Sequence, residues 1–111
     1  MNLQPKTISV RDLYALSQRQ PIELIDVRTL EEYGEVRTPL ARHVPMHTIE
    51  LQSLMSTRSL PPDEPVYFVC HVGGRSGRVC EALLAAGYSN VVNVTGGMEA
   101  WEAADLPVER G

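Results

Sequence analysis

At 111 residues, with 43% hydrophobic and 22% charged residues, the chain has the composition of one globular domain spanning 1–111, too short for two separate cores. Its net charge of −4 argues against a nucleic-acid partner held by bulk electrostatics, and no apolar run is long enough to span a bilayer, so no membrane role is expected. Two cysteines, at 70 and 80, make a poor disulfide framework and fit a reducing cytoplasm; no CxxC pair is present and no metal is expected; and the start, "MNLQPKTISV", lacks the features of an export signal.

The predicted elements alternate along the chain. Ser9 suits the N-cap of a helix whose apolar face is Val10, Leu13 and Tyr14, with the small Ser17 one turn on. "IELIDV" (22–27) is a short apolar run rich in β-branched residues, the pattern of a buried strand. Leu51, Leu54 and Met55 recur at helical spacing. Pro61, Pro62 and Asp63 mark a surface turn into a second strand, "VYFVC" (66–70). Ser76 opens another helix with Val79, Cys80, Leu83 and Leu84 along one side and Gly87 as its stop. "NVVNVT" (90–95) is a third strand, and a last helix covers 98–104, closing before Pro107.

Strands alternating with helices predict an α/β fold, a central and mostly parallel sheet with helices on both faces. Ligands in such folds bind beyond the carboxyl ends of the strands. Cys70 ends what reads as the central strand, and a glycine turn follows it. Gly73 and Gly74 allow successive N–H groups to turn inward around one point, and the next helix adds its N-terminal amides and the positive end of its dipole. A thiol aimed into such a nest ionises more readily than a free one, whose pKa is about 8.5.

Cys70 could be a buried structural thiol, an incidental cysteine in an anion-binding loop, or a nucleophile held by that loop. The coincidence of strand end, glycine turn, arginines and helix start favours the nucleophile. Residues 65–80 contain no Asp or Glu but do contain His71, Arg75 and Arg78, which predicts a small anionic ligand. Cys80 shares the apolar side of its helix and reads as an inert core thiol, with a resolving thiol for Cys70 as the alternative. Trp101 reads as core. His43 and His47 show no partner pattern and read as ordinary surface or hydrogen-bonded histidines.

The segment "CHVGGRS" (70–76) fits the CxxGxRS active-site pattern of rhodanese domains, with Cys70, Gly73, Arg75 and Ser76 at the matching places. "DVRTLEEY" (26–33) resembles the family's DVRxxxEY motif, and "GGMEAWEAADLPV" (96–108) resembles its closing GGxxAWxxAGLPV signature. With Ala41 and Pro45, these motifs follow the family order over most of the chain. The resemblance implies a rhodanese-like sheet of about five strands and sulfurtransferase activity without a cofactor. Cys70 would take the outer sulfur of a small anionic donor such as thiosulfate, become a persulfide, and hand the sulfur to a thiol, cyanide or a protein acceptor. A protein could also be the donor.

In this comparison His71, Val72, Gly73, Gly74, Arg75 and Ser76 form the substrate loop, with His71 and Val72 at variable positions that tune substrate choice. Arg75 either stiffens the loop by pairing with a carboxylate or binds the donor's anionic end. Asp26 reads as a helix or turn cap or, as the resemblance implies, a brace for the region, with Arg28 either its partner or a surface residue; support is expected from both and chemistry from neither. The chain departs from the family at Val36, Arg37 and Thr38, where Gly-His-Ile is common, and at Leu40 and Asp105, where glycines are common. Those positions bear on access and partner surfaces. One rival is a cysteine phosphatase or arsenate reductase, but Cys70-x4-Arg75 is one residue shorter than the phosphatase Cys-x5-Arg loop. The other rival is a persulfide carrier without turnover, with Arg37 and Leu40 in its docking surface.

Overall fold

In the strand "VYFVC", side chains alternate between two faces, and both faces are apolar, so the strand must be covered on each side. The computed structural model, which describes residues 4–111, meets that requirement; the first three residues of the segment read for an export signal lie outside the described residues. In chain order the elements are β1 (Lys6–Ser9), α1 (Val10–Ser17), β2 (Leu24–Asp26), α2 (Leu30–Glu35), β3 (Val36–Arg37) and β4 (Ala41–His43). A short 3-10 turn (Met46–Thr48) leads to α3 (Leu51–Ser56), β5 (Val66–Val69), α4 (Gly74–Ala85), β6 (Val91–Thr95), α5 (Gly97–Ala103) and β7 (Glu109–Arg110).

Five strands form a parallel sheet in the order β1-β6-β5-β2-β4, with β5 in the middle. Val66, Phe68 and Cys70 share one face with Ile25, Val27 and Val91, packed against Leu54 of α3 and Val79, Cys80 and Leu83 of α4. Tyr67 and Val69 share the opposite face with Leu24, Val92 and Val94, under Val10 and Leu13 of α1 and Met98 and Trp101 of α5. Each fully buried side chain such as Phe68 or Leu83 contributes about 1.5–3 kcal/mol. The expected α/β architecture, with helices on both faces of a parallel sheet, is the one observed. No helix among the described residues is long and apolar enough to cross a membrane.

Several boundaries differ from the sequence expectation. Helix α4 starts at Gly74 rather than Ser76, because Gly73 adopts a left-handed conformation (φ 108°) and turns the chain into the helix two residues early. Helix α5 runs one residue ahead of the expected 98–104, and Cys70 lies just past the end of β5. The sequence reading did not anticipate β1, β3, β4, β7 or α2. Strands β1 and β4 are the sheet edges, paired on one side only, so they need no continuous apolar run. Helix α2 buries no residue fully and is set by its cap instead: the Thr29 hydroxyl accepts from Glu32 N while the Glu32 carboxylate accepts from Thr29 N.

Other expectations hold in detail. Ser9 Oγ accepts from Asp12 N at 3.1 Å, as a cap should. Trp101 is buried, edge-on to Tyr14, and its indole N–H donates to Pro107 O at 2.9 Å. Asp105 sits at φ 56°, a left-handed conformation that glycine adopts freely and Asp is among the few other residues to tolerate. That explains how Asp can stand where a glycine is common.

Candidate active site

Cys70 emerges from the central strand at the carboxyl edge of the sheet, and the left-handed Gly73 folds the following residues back over it. The result is a ring of donors. Gly73 N donates to Cys70 Sγ at 3.0 Å, and the Ser76 hydroxyl lies 3.3 Å from the same sulfur. Burial alone would push the thiol pKa up. Hydrogen bonds from the Ser76 hydroxyl and from the backbone N–H groups of Ser76, Gly73 and Arg75 outweigh it, holding Cys70 below the ordinary thiol value. Ser76 Oγ is also 2.6 Å from Asn93 Oδ1, so its single proton serves the sulfur or the amide, one at a time.

The ring is held from outside by two other elements. The first N–H groups of α5 donate to the loop: Met98 N to Cys70 O at 2.8 Å and Glu99 N to His71 O at 2.9 Å. This close approach requires Gly97, where a Cβ would lie 2.6 Å from the His71 carbonyl oxygen and still closer to that of Cys70. From β6, Asn93 Nδ2 donates to Gly73 O at 3.0 Å. Gly73 O therefore fixes the orientation of the amide that faces Ser76.

Arg75 turns its guanidinium to Glu32 of α2, with Nη1–Oε1 at 2.7 Å and Nη2–Oε2 at 2.8 Å. That bidentate contact, with the Thr29 hydrogen bonds in support, overcomes desolvation and draws the Glu32 carboxyl down to about 2. Asp26 and Arg28 form a second pair, buried at 0% and 2% exposure, with Nη2–Oδ2 at 2.8 Å. Arg28 also donates to Val36 O at 2.6 Å and to Glu32 O at 3.3 Å, which fastens α2 to the sheet. Asp26 and Arg28 thus reach the loop through α2 and Glu32.

His71 and Val72 form the exposed tip of the loop, and His71 Nε2 lies 3.7 Å from Glu99 Oε2. The positive character expected from residues 65–80 is therefore largely cancelled in space. Glu32 and Glu99 arrive from other elements to meet Arg75 and His71. Two cavities flank the loop. One of about 380 Å³ is polar, between Arg28, Glu32, Glu35, His71, Glu102 and Arg110. The other, about 390 Å³, is lined by Val27, Thr29, Met46, His47 and Arg75.

His43 and His47 separate: His43 stacks on Tyr33 and its Nε2 is 2.8 Å from Arg28 O, whereas His47 lies on the second cavity wall. Among the described residues no group of three or more His, Cys, Asp or Glu is arranged to hold a metal. Cys80 is fully buried in the core under α4, and burial, with Glu81 nearby, pushes its thiol up to about 12. The departures at 36–38 are structural as well. Val36 and Arg37 pair with β7, and Thr38 is completely buried.

Glu32, Asn93 and Gly97 were not singled out from sequence as parts of the site. Asn93 left a signal, a polar residue at an inward position of an apolar strand. Glu32 and Gly97 lay within quoted motifs, but nothing local assigned their partners.

This constellation defines a class, an α/β domain with a cysteine in a tight amide-lined loop at the sheet's carboxyl edge. A family model for the rhodanese-like domain matches residues 9–104. The chain is 37% identical over 101 residues to a sulfurtransferase of Allochromatium vinosum, covering 87% of this chain and 91% of that protein. It is 27% identical over 104 residues to the thiosulfate sulfurtransferase GlpE of Glaesserella parasuis, covering 94% and 93% respectively. A crystal structure of a rhodanese-like domain protein from Staphylococcus aureus superposes with a TM-score of 0.72 at 38% identity, covering 86% of this chain and 90% of that one. The chain belongs to the rhodanese-like family. Its general chemistry is sulfur transfer.

Proposed function

We propose that the protein moves a sulfane sulfur through a persulfide on Cys70. The observation that carries this reading is the convergence of Gly73 N and the Ser76 hydroxyl on one buried sulfur, with the Arg75 and Ser76 amides in support. The thiolate attacks the outer sulfur of a donor such as thiosulfate. A bond forms between Cys70 Sγ and that sulfur, the donor's S–S bond breaks, and sulfite leaves with the electron pair. The new persulfide anion stays among the same donors, which stabilise negative charge without reorganising. A thiol, cyanide or protein acceptor then attacks the outer sulfur, and its departure restores the Cys70 thiolate. The two half-reactions give ping-pong kinetics.

Incubating the protein with thiosulfate and recording its intact mass tests the first half, and adding cyanide and assaying thiocyanate tests the second. One added sulfur, lost to cyanide and absent from Cys70→Ser, is the expected result. No adduct from thiosulfate or from a persulfide donor would overturn the reading.

A further inference from the structure

We propose that Asn93 is a positioning residue for Cys70: it holds the Ser76 hydroxyl as a donor while the sulfur is neutral and yields it when the sulfur becomes charged. Its part in turnover rests on the Cys70 persulfide reading above.

The sheet sets the position. Asn93 stands on β6 in register with Phe68 of β5, two residues before the cysteine. Its side chain meets α4 where glycine leaves the backbone bare: a Cβ on Gly77 would lie 3.2 Å from Asn93 Nδ2. Nδ2 donates to Gly73 O at 3.0 Å, and turning the amide over would set two carbonyl oxygens against each other. Oδ1 is therefore committed to face Ser76.

Ser76 is fully buried, and its hydroxyl has one proton for three acceptors. Asn93 Oδ1 is 2.6 Å away, whereas Cys70 Sγ and Gly73 O are each at 3.3 Å. Gly73 O is already supplied by Gly77 N and by Asn93 Nδ2, each at 3.0 Å. The choice falls between amide and sulfur. A neutral sulfur is a weak acceptor, so the amide keeps the hydroxyl. A thiolate makes charge-assisted hydrogen bonds about twice as strong as neutral ones, so the hydroxyl turns to it.

This exchange matches the two half-reactions. In the persulfide, Sγ is a neutral bridging sulfur, and the hydroxyl rests on Asn93. When cyanide attacks the outer sulfur, the carbon–sulfur bond forms, the S–S bond breaks, and its electron pair returns to Cys70 Sγ. The Ser76 hydroxyl then turns to the new charge; it exchanges one hydrogen bond for another and gives up no proton. What Ser76 contributes to the thiolate is reduced by the amide bond it leaves, so removing the amide should increase that contribution.

Asn93→Leu keeps the approximate size of the side chain and removes the acceptor, while Gly73 O retains Gly77 N. The pH midpoint of Cys70 alkylation should fall by about half to one unit, the size of one neutral hydrogen bond. In a Ser76→Ala background the same substitution should leave the midpoint unchanged, because the hydroxyl is gone. A merely structural effect, acting through Gly73, would shift both backgrounds alike. The charges around the loop are the same in every variant: Arg75 held by Glu32 of α2, Asp26 of β2 with Arg28, and His71 with Glu99 of α5. His47, on the cavity wall with Arg75, and Cys80, held at about 12, are likewise untouched.

A second measurement uses the wild type alone, so it survives a variant that fails to fold. The Asn93 side-chain carbonyl carbon, followed by NMR, should move upfield with the Cys70 midpoint, as a carbonyl losing a hydrogen bond does. An unchanged or raised midpoint in Asn93→Leu, equal shifts in both backgrounds, or a carbonyl carbon that does not titrate with Cys70 would overturn the proposal. None of these readouts uses a sulfur donor. Failure of Cys70 to load sulfur would therefore remove the persulfide reading while the exchange at Ser76 stands.

Discussion

Glu32 and Arg75, which lie on different helices, meet in a two-point ion pair with contacts of 2.7 and 2.8 Å. The same carboxylate caps α2 through Thr29, so one side chain fixes the helix start and the loop arginine together. Glu32→Gln keeps the cap's acceptor and loses the charge. The expected result is a loss of only about 0.5–1 kcal/mol in urea unfolding, as for part-exposed ion pairs. Sulfur transfer should fall more, about tenfold in kcat/KM, because loop geometry governs reactivity. The wild-type pair's contribution is present above the ordinary carboxyl value of 4.5 and fades as pH drops towards 2. A pH-dependent melting series should show that difference between wild type and variant shrinking over this interval.

Cys70 should react with iodoacetamide along a pH profile whose midpoint lies below that of an ordinary thiol. Ser76→Ala removes a donor to the sulfur and should move the midpoint upward. Because folding depresses this pKa, its contribution to stability is present above the unfolded thiol value and is lost as pH falls through the folded one. Cys80, held at about 12, should remain unmodified throughout in the folded protein. Peptide mapping after alkylation separates the two sites. Equal labelling of Cys70 and Cys80 at neutral pH would contradict the assignment.

Gly97→Ala should disable the loop from a distance. The new methyl would meet the Cys70 and His71 carbonyls, and the position's φ of 57° disfavours any side chain. Strain of this kind costs about 1–3 kcal/mol before the collision is added. Urea unfolding should report at least that loss. Thiocyanate production should drop even at temperatures where the variant is fully folded.

Glu23 and Arg58 supply a contrast away from the site. Their ion pair is buried, at 5% and 3% exposure with an Nε–Oε1 contact of 2.9 Å, and Glu23 also accepts from Ser59 N. Burial alone would raise the Glu23 pKa, but hydrogen bonds from Ser59, Arg58 and Leu60 lower it on balance. Glu23→Ala leaves Arg58 buried without its partner, which costs about 3–5 kcal/mol. Thermal melting should show that loss, while kcat per folded molecule stays near wild type. A selective loss of kcat in the folded fraction would mean that the 57–65 segment communicates with the loop.

The Cys70 loop was legible because its parts are local. Cysteine, glycine turn and helix start lie within seven residues, and the sequence spacing carries their relation. The central strands were legible because burial on both faces demands unbroken apolar runs. The edge strands β1 and β4 carry no such demand, so their polar sequences hid them. Charge failed for the opposite reason. Residues 65–80 looked positive because Glu32 and Glu99 are distant in sequence, and only the β2–β5 pairing and the α5 docking bring them to the loop.

The donation from α5 to the Cys70 and His71 carbonyls also sets an order of events during synthesis. The cysteine leaves the ribosome well before the helix that clasps its loop. Strands β2, β4 and β5 can begin to associate while the chain is still growing. Met98 and Glu99 arrive later, and until they do the loop lacks the clasp on its Cys70 and His71 carbonyls. A nascent chain would therefore hold the cysteine in a looser loop, and the complete clasp would appear only when the last crossover docks.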